Sequence, residues 1–268
     1  MDNHVVKDTG MTLKICHLYP TLMSVAADRG NLFSIQKRCL WRGIKTEVEP
    51  VYVKQTPDFT KFDLILIHGA ADREMELASR DIQHKAPSLR EAAEANVVFL
   101  CVCAGFQLMG HYYQPARGER LNGVGILDFY TEGGSERFMT HMAMECKISY
   151  NGQNVLVGYE NHSGRTYLGK GMEPLGKVLV GWGNNGKDGG EGAMYKNVYA
   201  SYLHGPLLPK NPWFTDYLIT RALERRYGTV ELEPLDDTIE NAAHQAALSL
   251  AMKFKGTMSA IEAATWKN

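Results

Sequence analysis

The sequence lacks most of the features that assign a chain to a class at sight. No apolar run approaches the roughly 20 residues needed to span a bilayer. The opening MDNHVVKDTG is polar and has no signal-peptide hydrophobic stretch. Neither charge sign dominates, with Lys+Arg 29 against Asp+Glu 30, so no basic stripe invites nucleic acid and no cationic helix invites insertion at a membrane surface. Cysteine is scarce. Cys16, Cys39, Cys101, Cys103 and Cys146 make an odd number without the spacing of a disulfide framework. Cys101-x-Cys103 has no second pair, which argues against zinc. Neither an internal repeat nor a domain linker is visible. The glycine-dense GWGNNGKDGGEG at 181–192 precedes no helix whose amides could hold a phosphate. What survives these exclusions is a soluble, reduced, cytoplasmic chain of 268 residues, 44% hydrophobic, which suffices for a full core.

What is present alternates between strand and helix. Leu13–Leu18 reads as a first strand, Asp28–Asn31 as a turn and helix cap, and Leu32–Arg42 as a helix with Leu32, Ile35, Cys39 and Leu40 on one face, ended by Gly43. Thr46–Val53 alternates like a strand. Phe62–Ile67 and Val97–Val102 are short, bounded apolar runs of the kind that form strands buried on both faces. Ser88–Glu94 reads as a short polar helix. After Gln114 the segments 123–127 and 131–136 are turn-rich, and Arg137–Tyr150 with Asn154–Tyr159 reads as a strand pair. Val198–Leu203 reads as a strand and Phe214–Tyr227 as an amphipathic helix. The expected fold is α/β, a mostly parallel central sheet flanked by helices, with a β-rich second half. Residues 13–228 form the expected single domain, 1–12 a flexible leader, and 229–268 a helical extension packed outside.

The chain is organised around Val97–Gly110, VVFLCVCAGFQLMG. An apolar strand gives way within two residues to Cys103-Ala104-Gly105 and then to the start of a helix. Strand, tight small-residue turn and helix is the layout of a nucleophile elbow. A helix N-terminus behind the turn favours negative charge, so the Cys103 thiol is expected to ionise easily. A free cysteine is more often a small buried core residue, and that reading is kept for Cys101. His204 ends a buried strand at a Gly-Pro turn and is the candidate base for Cys103.

The motif V-C-A-G-F-Q-L-M-G resembles the nucleophile motif of class I (triad-type) glutamine amidotransferases. Y-L-H-G-P-L-L-P-K-N-P (Tyr202–Pro212) resembles the His segment of their cobyric-acid-synthase-like branch. H-L-Y-P-T-L-M with D-R-G-N at 28–31, G-I-L-D-F-Y-T-E (Gly125–Glu132) and G-Y-E-N-H-S-G-R-T (Gly158–Thr166) resemble further segments of the same branch, so the likeness spans about Leu13 to Gly228. The resemblance implies a class I amidotransferase fold and a glutaminase subunit. Cys103 would be the nucleophile, His204 the base, Arg137 the group holding the α-carboxylate of L-glutamine, and the amides of Gly69 and Ala104 the oxyanion donors. It implies no cofactor in this chain. ATP and Mg are expected on a Mur-ligase-like (MurT-like) synthetase subunit that uses the ammonia to amidate the D-glutamate of lipid II to D-isoglutamine. A glutaminase serving another amidation, such as that of a corrin precursor, and a non-catalytic regulatory subunit are the alternatives.

Two departures from the family pattern stand out. The acid usually found two residues after the His is here Pro206, so no local carboxylate orients the imidazole. The glycine-rich oxyanion loop is here His68-Gly69-Ala70-Ala71-Asp72, and alanine reaches positive φ less cheaply than glycine. His68 has no evident role, and His162 reads as structural or substrate-adjacent.

Overall fold

The structure is a computed structural model that describes residues 8–24 and 28–265, with side chains through residue 254. Most of the expected leader and the last residues of the extension lie outside the described residues. The chain runs β1 (Thr12–Leu18), α1 (Arg29–Leu40), β2 (Lys45–Val51), β3 (Leu64–Ile67), α2 (Asp72–Glu94), β4 (Val98–Val102) and α3 (Ala104–Met109). It continues through β5 (Tyr112–Gln114), β6 (Leu121–Asn122), β7 (Phe129–Tyr150), β8 (Gln153–Leu168), β9 (Gly176–Val180) and β10 (Gly190–Glu191). It closes with β11 (Ala193–Tyr195), β12 (Val198–Ser201), α4 (Pro212–Tyr227) and α5 (Thr238–Thr265).

The first sheet has the order β11-β12-β4-β3-β1-β2 and is parallel except for edge strand β11. Its inner strands β3, β4 and β12 are buried throughout because both faces are covered. Leu64, Leu66, Val98, Leu100 and Val102 enter the core under α1 and α4. Ile65, Ile67, Phe99 and Cys101 enter the core under α2. Cys101 is thus a buried core residue, and burial raises its thiol pKa well above the usual range. The second sheet, β10-β9-β7-β5-β6 with β8 on β7, is the β-rich half. Its centre is the long β7/β8 hairpin, turned at Asn151 and Gly152, which both have positive φ as an Asn-Gly hairpin turn requires.

Three sequence expectations need correction. Ser88–Glu94 is the last part of α2, which runs unbroken through Pro87. The buried stripe of α2 (Met75, Ala78, Ile82, Ala86, Leu89, Ala93) keeps helical spacing, but its alanines blur the apolar pattern. Residues 131–136 belong to β7, whose register against β8 shifts between Gly133 and Phe138, so the glycines mark a bulge within a strand. Leu40 does not share the buried face of α1, since it is 59% exposed. The last turn of α1 buries Arg38 and Cys39 in its place. Arg38 and Arg42 clasp Asp216 on α4, and Arg38 also holds Asp237 just before α5. This cluster fastens the C-terminal extension to the body. Among the described residues no helix is long and apolar enough to cross a membrane.

Candidate active site

β4 delivers Cys103 to the C-terminal edge of the parallel sheet, where open α/β sheets bind ligands. Cys103 has φ 55° and ψ −109°, a strained conformation for a residue with a β-carbon. Three backbone hydrogen bonds hold it: Cys103 N–H to Ser201 O at 2.9 Å, Gly105 N–H to His68 O at 3.0 Å, and Gln107 N–H to Cys103 O at 3.0 Å. A β-carbon on Gly105 would lie 2.4 Å from the Ile67 carbonyl oxygen, so the turn closes only with glycine there. This is a strand-turn-helix elbow with a half-buried cysteine at its apex.

The thiol is not acidified as expected. Burial pushes its pKa up to about 12, and the Asp28 and Glu191 carboxylates push the same way. The Ala104 N–H, which faces the sulfur, and the Arg137 guanidinium oppose them without prevailing. A six-residue helix end cannot outweigh desolvation.

His204 follows β12, the parallel neighbour of β4, paired in register Ser201 to Val102. Its backbone is pinned to β8 by reciprocal hydrogen bonds with Tyr159, at 3.0 and 3.1 Å. The ring is buried, and neither nitrogen has a hydrogen-bond partner among the described residues. Burial lowers its pKa to about 4, aided by His162 and Lys210. The Asn161 carbonyl alone favours the protonated ring, without outweighing burial. The pair is therefore a neutral thiol and a neutral imidazole at pH 7, not hydrogen-bonded to one another. No carboxylate of the described chain orients the ring.

Arg137 lies in the β7 bulge. Its Nη1 donates to the Asn161 side-chain oxygen at 2.7 Å, and Nε and Nη2 make no hydrogen bond among the described residues. One edge of the guanidinium is thus open to a carboxylate. The charge of Arg137 is felt at both Cys103 and His204, which places the three around one site.

Gly69 is placed differently from expectation. Its N–H donates to Asp28 Oδ2 at 3.2 Å, so in this conformation it is not free for an oxyanion. The Ala104 amide faces the Cys103 sulfur. Asp28, which reads in the sequence as a helix cap, makes no side-chain cap bond to α1. It is wholly buried, and burial raises its carboxyl to about 7 although the Gly69 and Gly205 amides favour its charged form.

Sequence reasoning also missed Glu191, which sits in the glycine-dense loop. It is fully buried and accepts from Ser201 Oγ at 2.8 Å and Tyr202 N at 2.6 Å, bracing the strand end that carries His204. Of the two acids in that loop, Asp188 and Glu191, only Glu191 has glycine on both sides, and that was the available signal. His162 stacks flat on Tyr202, with ring centroids 3.6 Å apart, and its Nδ1 pairs with Gly164 O at 2.8 Å. The His68 ring is buried edge-on to His17. Among the described residues no group of three or more His, Cys, Asp or Glu could hold a metal ion.

The arrangement gathers a candidate nucleophile, a candidate base and a backbone amide at one sheet edge, with the charge of Arg137 felt at both side chains, which suits acyl transfer from a small amide. Residues 14–212 match the model of the CobB/CobQ-like glutamine amidotransferase domain. The chain is 37% identical over 243 residues to the lipid II isoglutaminyl synthase (glutamine-hydrolyzing) subunit GatD of Staphylococcus aureus, covering 91% of this chain and 98% of that protein. It is 34% identical over 229 residues to the subunit of the same name from Streptococcus pneumoniae, covering 85% and 87%. It is 32% identical over 186 residues to a probable cobyric acid synthase of Methanothermobacter thermautotrophicus, covering 65% of this chain but 36% of that protein.

Proposed function

Since the chain belongs to the CobB/CobQ-like glutamine amidotransferase family, we propose that it is the glutamine-hydrolysing subunit of a synthetase that amidates lipid II. The observation that carries the reading is the cysteine of positive φ at the end of β4, with His204 at the end of the adjoining strand. The open edge of Arg137 takes the glutamine α-carboxylate. Cys103 Sγ attacks the side-chain amide carbon and its proton passes to His204. The oxyanion formed accepts from the Ala104 N–H. His204 returns the proton to the leaving nitrogen, ammonia departs, and a thioester remains. Water, deprotonated by His204, then releases glutamate and restores the thiol. A Mur-ligase-like subunit holding ATP and Mg would consume the ammonia at the D-glutamate α-carboxylate of lipid II.

The test supplies this chain, the synthetase, ATP, Mg, lipid II and glutamine labelled at its amide nitrogen. Labelled isoglutaminyl lipid II is the expected product. Glutamate release without transfer of label would restrict the chain to a glutaminase of some other pathway.

Arg137→Lys is expected to raise KM for glutamine about ten- to a hundredfold, the value of one charge-assisted hydrogen bond, with a much smaller change in kcat. The fork binds an end of the substrate that does not change during reaction, so its loss weakens ground and transition states alike. Steady-state kinetics with an unchanged KM would remove Arg137 from the site.

A further inference from the structure

The turn at 28–31 fastens two loops that both belong to the site. Asp28 Oδ2 accepts from Gly69 N–H in the loop after β3. Gly30 packs on Pro206, two residues after His204, so closely that a β-carbon there would lie 2.5 Å from Pro206 Cγ. Asn31 Oδ1 accepts from Leu208 N–H at 2.8 Å in the same His204 loop. Asp28 itself is fully buried, and its Oδ1 has no hydrogen-bond partner among the described residues. A buried carboxylate with no charged partner among the described residues and one oxygen unpaired is costly, and a neutral cap for the start of α1 would do without that cost. The carboxylate does two things a cap does not. It engages the Gly69 amide, the donor that the proposed mechanism would need at the oxyanion, and it places negative charge beside Cys103.

We infer that Asp28 is a positioning residue that holds the lone subunit inactive, its carboxylate keeping the Gly69 amide out of the oxyanion hole until docking of the synthetase shifts the 28–31 turn. The inference rests on the amidotransferase reading. It deepens that reading by naming the contact whose release switches the site on. The geometry makes release a joint event, because moving the turn that carries Asp28 also moves Gly30 and Asn31 against the His204 loop.

The experiment uses the full chain with Asp28→Leu and Asp28→Ala, alone and with the synthetase. The leucine variant is close in shape and has no atom that can accept from the Gly69 N–H, so it keeps the test alive should the alanine variant fail to fold. Freeing one oxyanion donor, worth about 10²–10³ in kcat, is expected to raise glutamate release by the lone chain at least about tenfold and to shrink stimulation by the synthetase correspondingly. A second readout needs no glutamine: the pH dependence of Cys103 alkylation by iodoacetamide, with Cys103→Ser as blank. The charges felt at Cys103 are Asp28, Glu191 and Arg137. Removing the Asp28 charge should shift the alkylation midpoint to lower pH, whereas a merely structural loss would not.

An unmoved midpoint in a folded variant overturns the inference. So does a shifted midpoint with unchanged or reduced hydrolysis by the lone chain, which would make Asp28 a brace. If wild type and variants alike release no glutamate even with the synthetase, the amidotransferase reading fails, and the alkylation profile still decides whether Asp28 governs the thiol.

Discussion

Cys103→Ala is expected to cut glutamine hydrolysis by about 10⁴-fold or more, the loss that follows removal of a nucleophile from a concerted site, with the melting temperature shifted by only a few degrees. The expectation follows from the elbow. The side chain stands at the apex of the turn and is only half-buried, so little packing goes with it. Alanine bears the same positive-φ strain as cysteine, so the substitution neither relieves nor adds to the cost of the φ 55° backbone. Cys101→Ala is the matched control. That thiol lies in the core beneath α2, and its loss should cost about 1 kcal/mol in stability through a small cavity while leaving turnover intact. Glutamate release assayed beside thermal melts separates the two. If the Cys103 variant turns over at the wild-type rate, the elbow is not the catalytic centre.

The second large effect concerns the synthetase. An imidazole without an orienting acid has no fixed tautomer or direction, and losing such an acid can lower kcat about 10⁴-fold. The His204 ring has no hydrogen-bond partner at either nitrogen among the described residues, and Pro206 occupies the position of the usual acid. The purified chain is therefore expected to be a poor glutaminase, stimulated about a hundredfold or more by its partner, which would dock a carboxylate against the ring. The measurement compares glutamate release by the lone chain and by the reconstituted pair, then repeats it with that partner acid changed to its amide. Full activity in the isolated chain would sink the idea. Stimulation that survives the amide replacement would assign the effect to release of Gly69 from Asp28.

The parts of the site legible in the sequence are those where one side chain and its immediate neighbours suffice. Cys103 could be placed because an unbroken apolar strand must end at the sheet edge and the small residues after it leave room for only one sort of turn. His204 could be placed for the same reason from the other side. Asp28 could not, because an acid before a helix is normally a cap, and only the three-dimensional path shows its carboxylate turned toward Gly69. The thiol pKa was misjudged in the same way. A helix end is visible in sequence, but the burial that outweighs it belongs to the whole fold. The unbroken α2 was obscured by its alanines, whose burial depends on what packs against them.

The reciprocal bonds between Tyr159 and His204 carry one more implication. Asn161, which steadies Arg137, lies two residues along the same strand as Tyr159. The candidate substrate fork, through its side chain, and the candidate base, through its backbone, are therefore both tied to one strand, β8. Cys103 is anchored to β12, through Ser201 O, and its elbow to the loop after β3, and only residues 202 and 203 join Ser201 to His204. The spacing of that pair from Cys103 is thus set by how β8 lies against the chain that leaves β12.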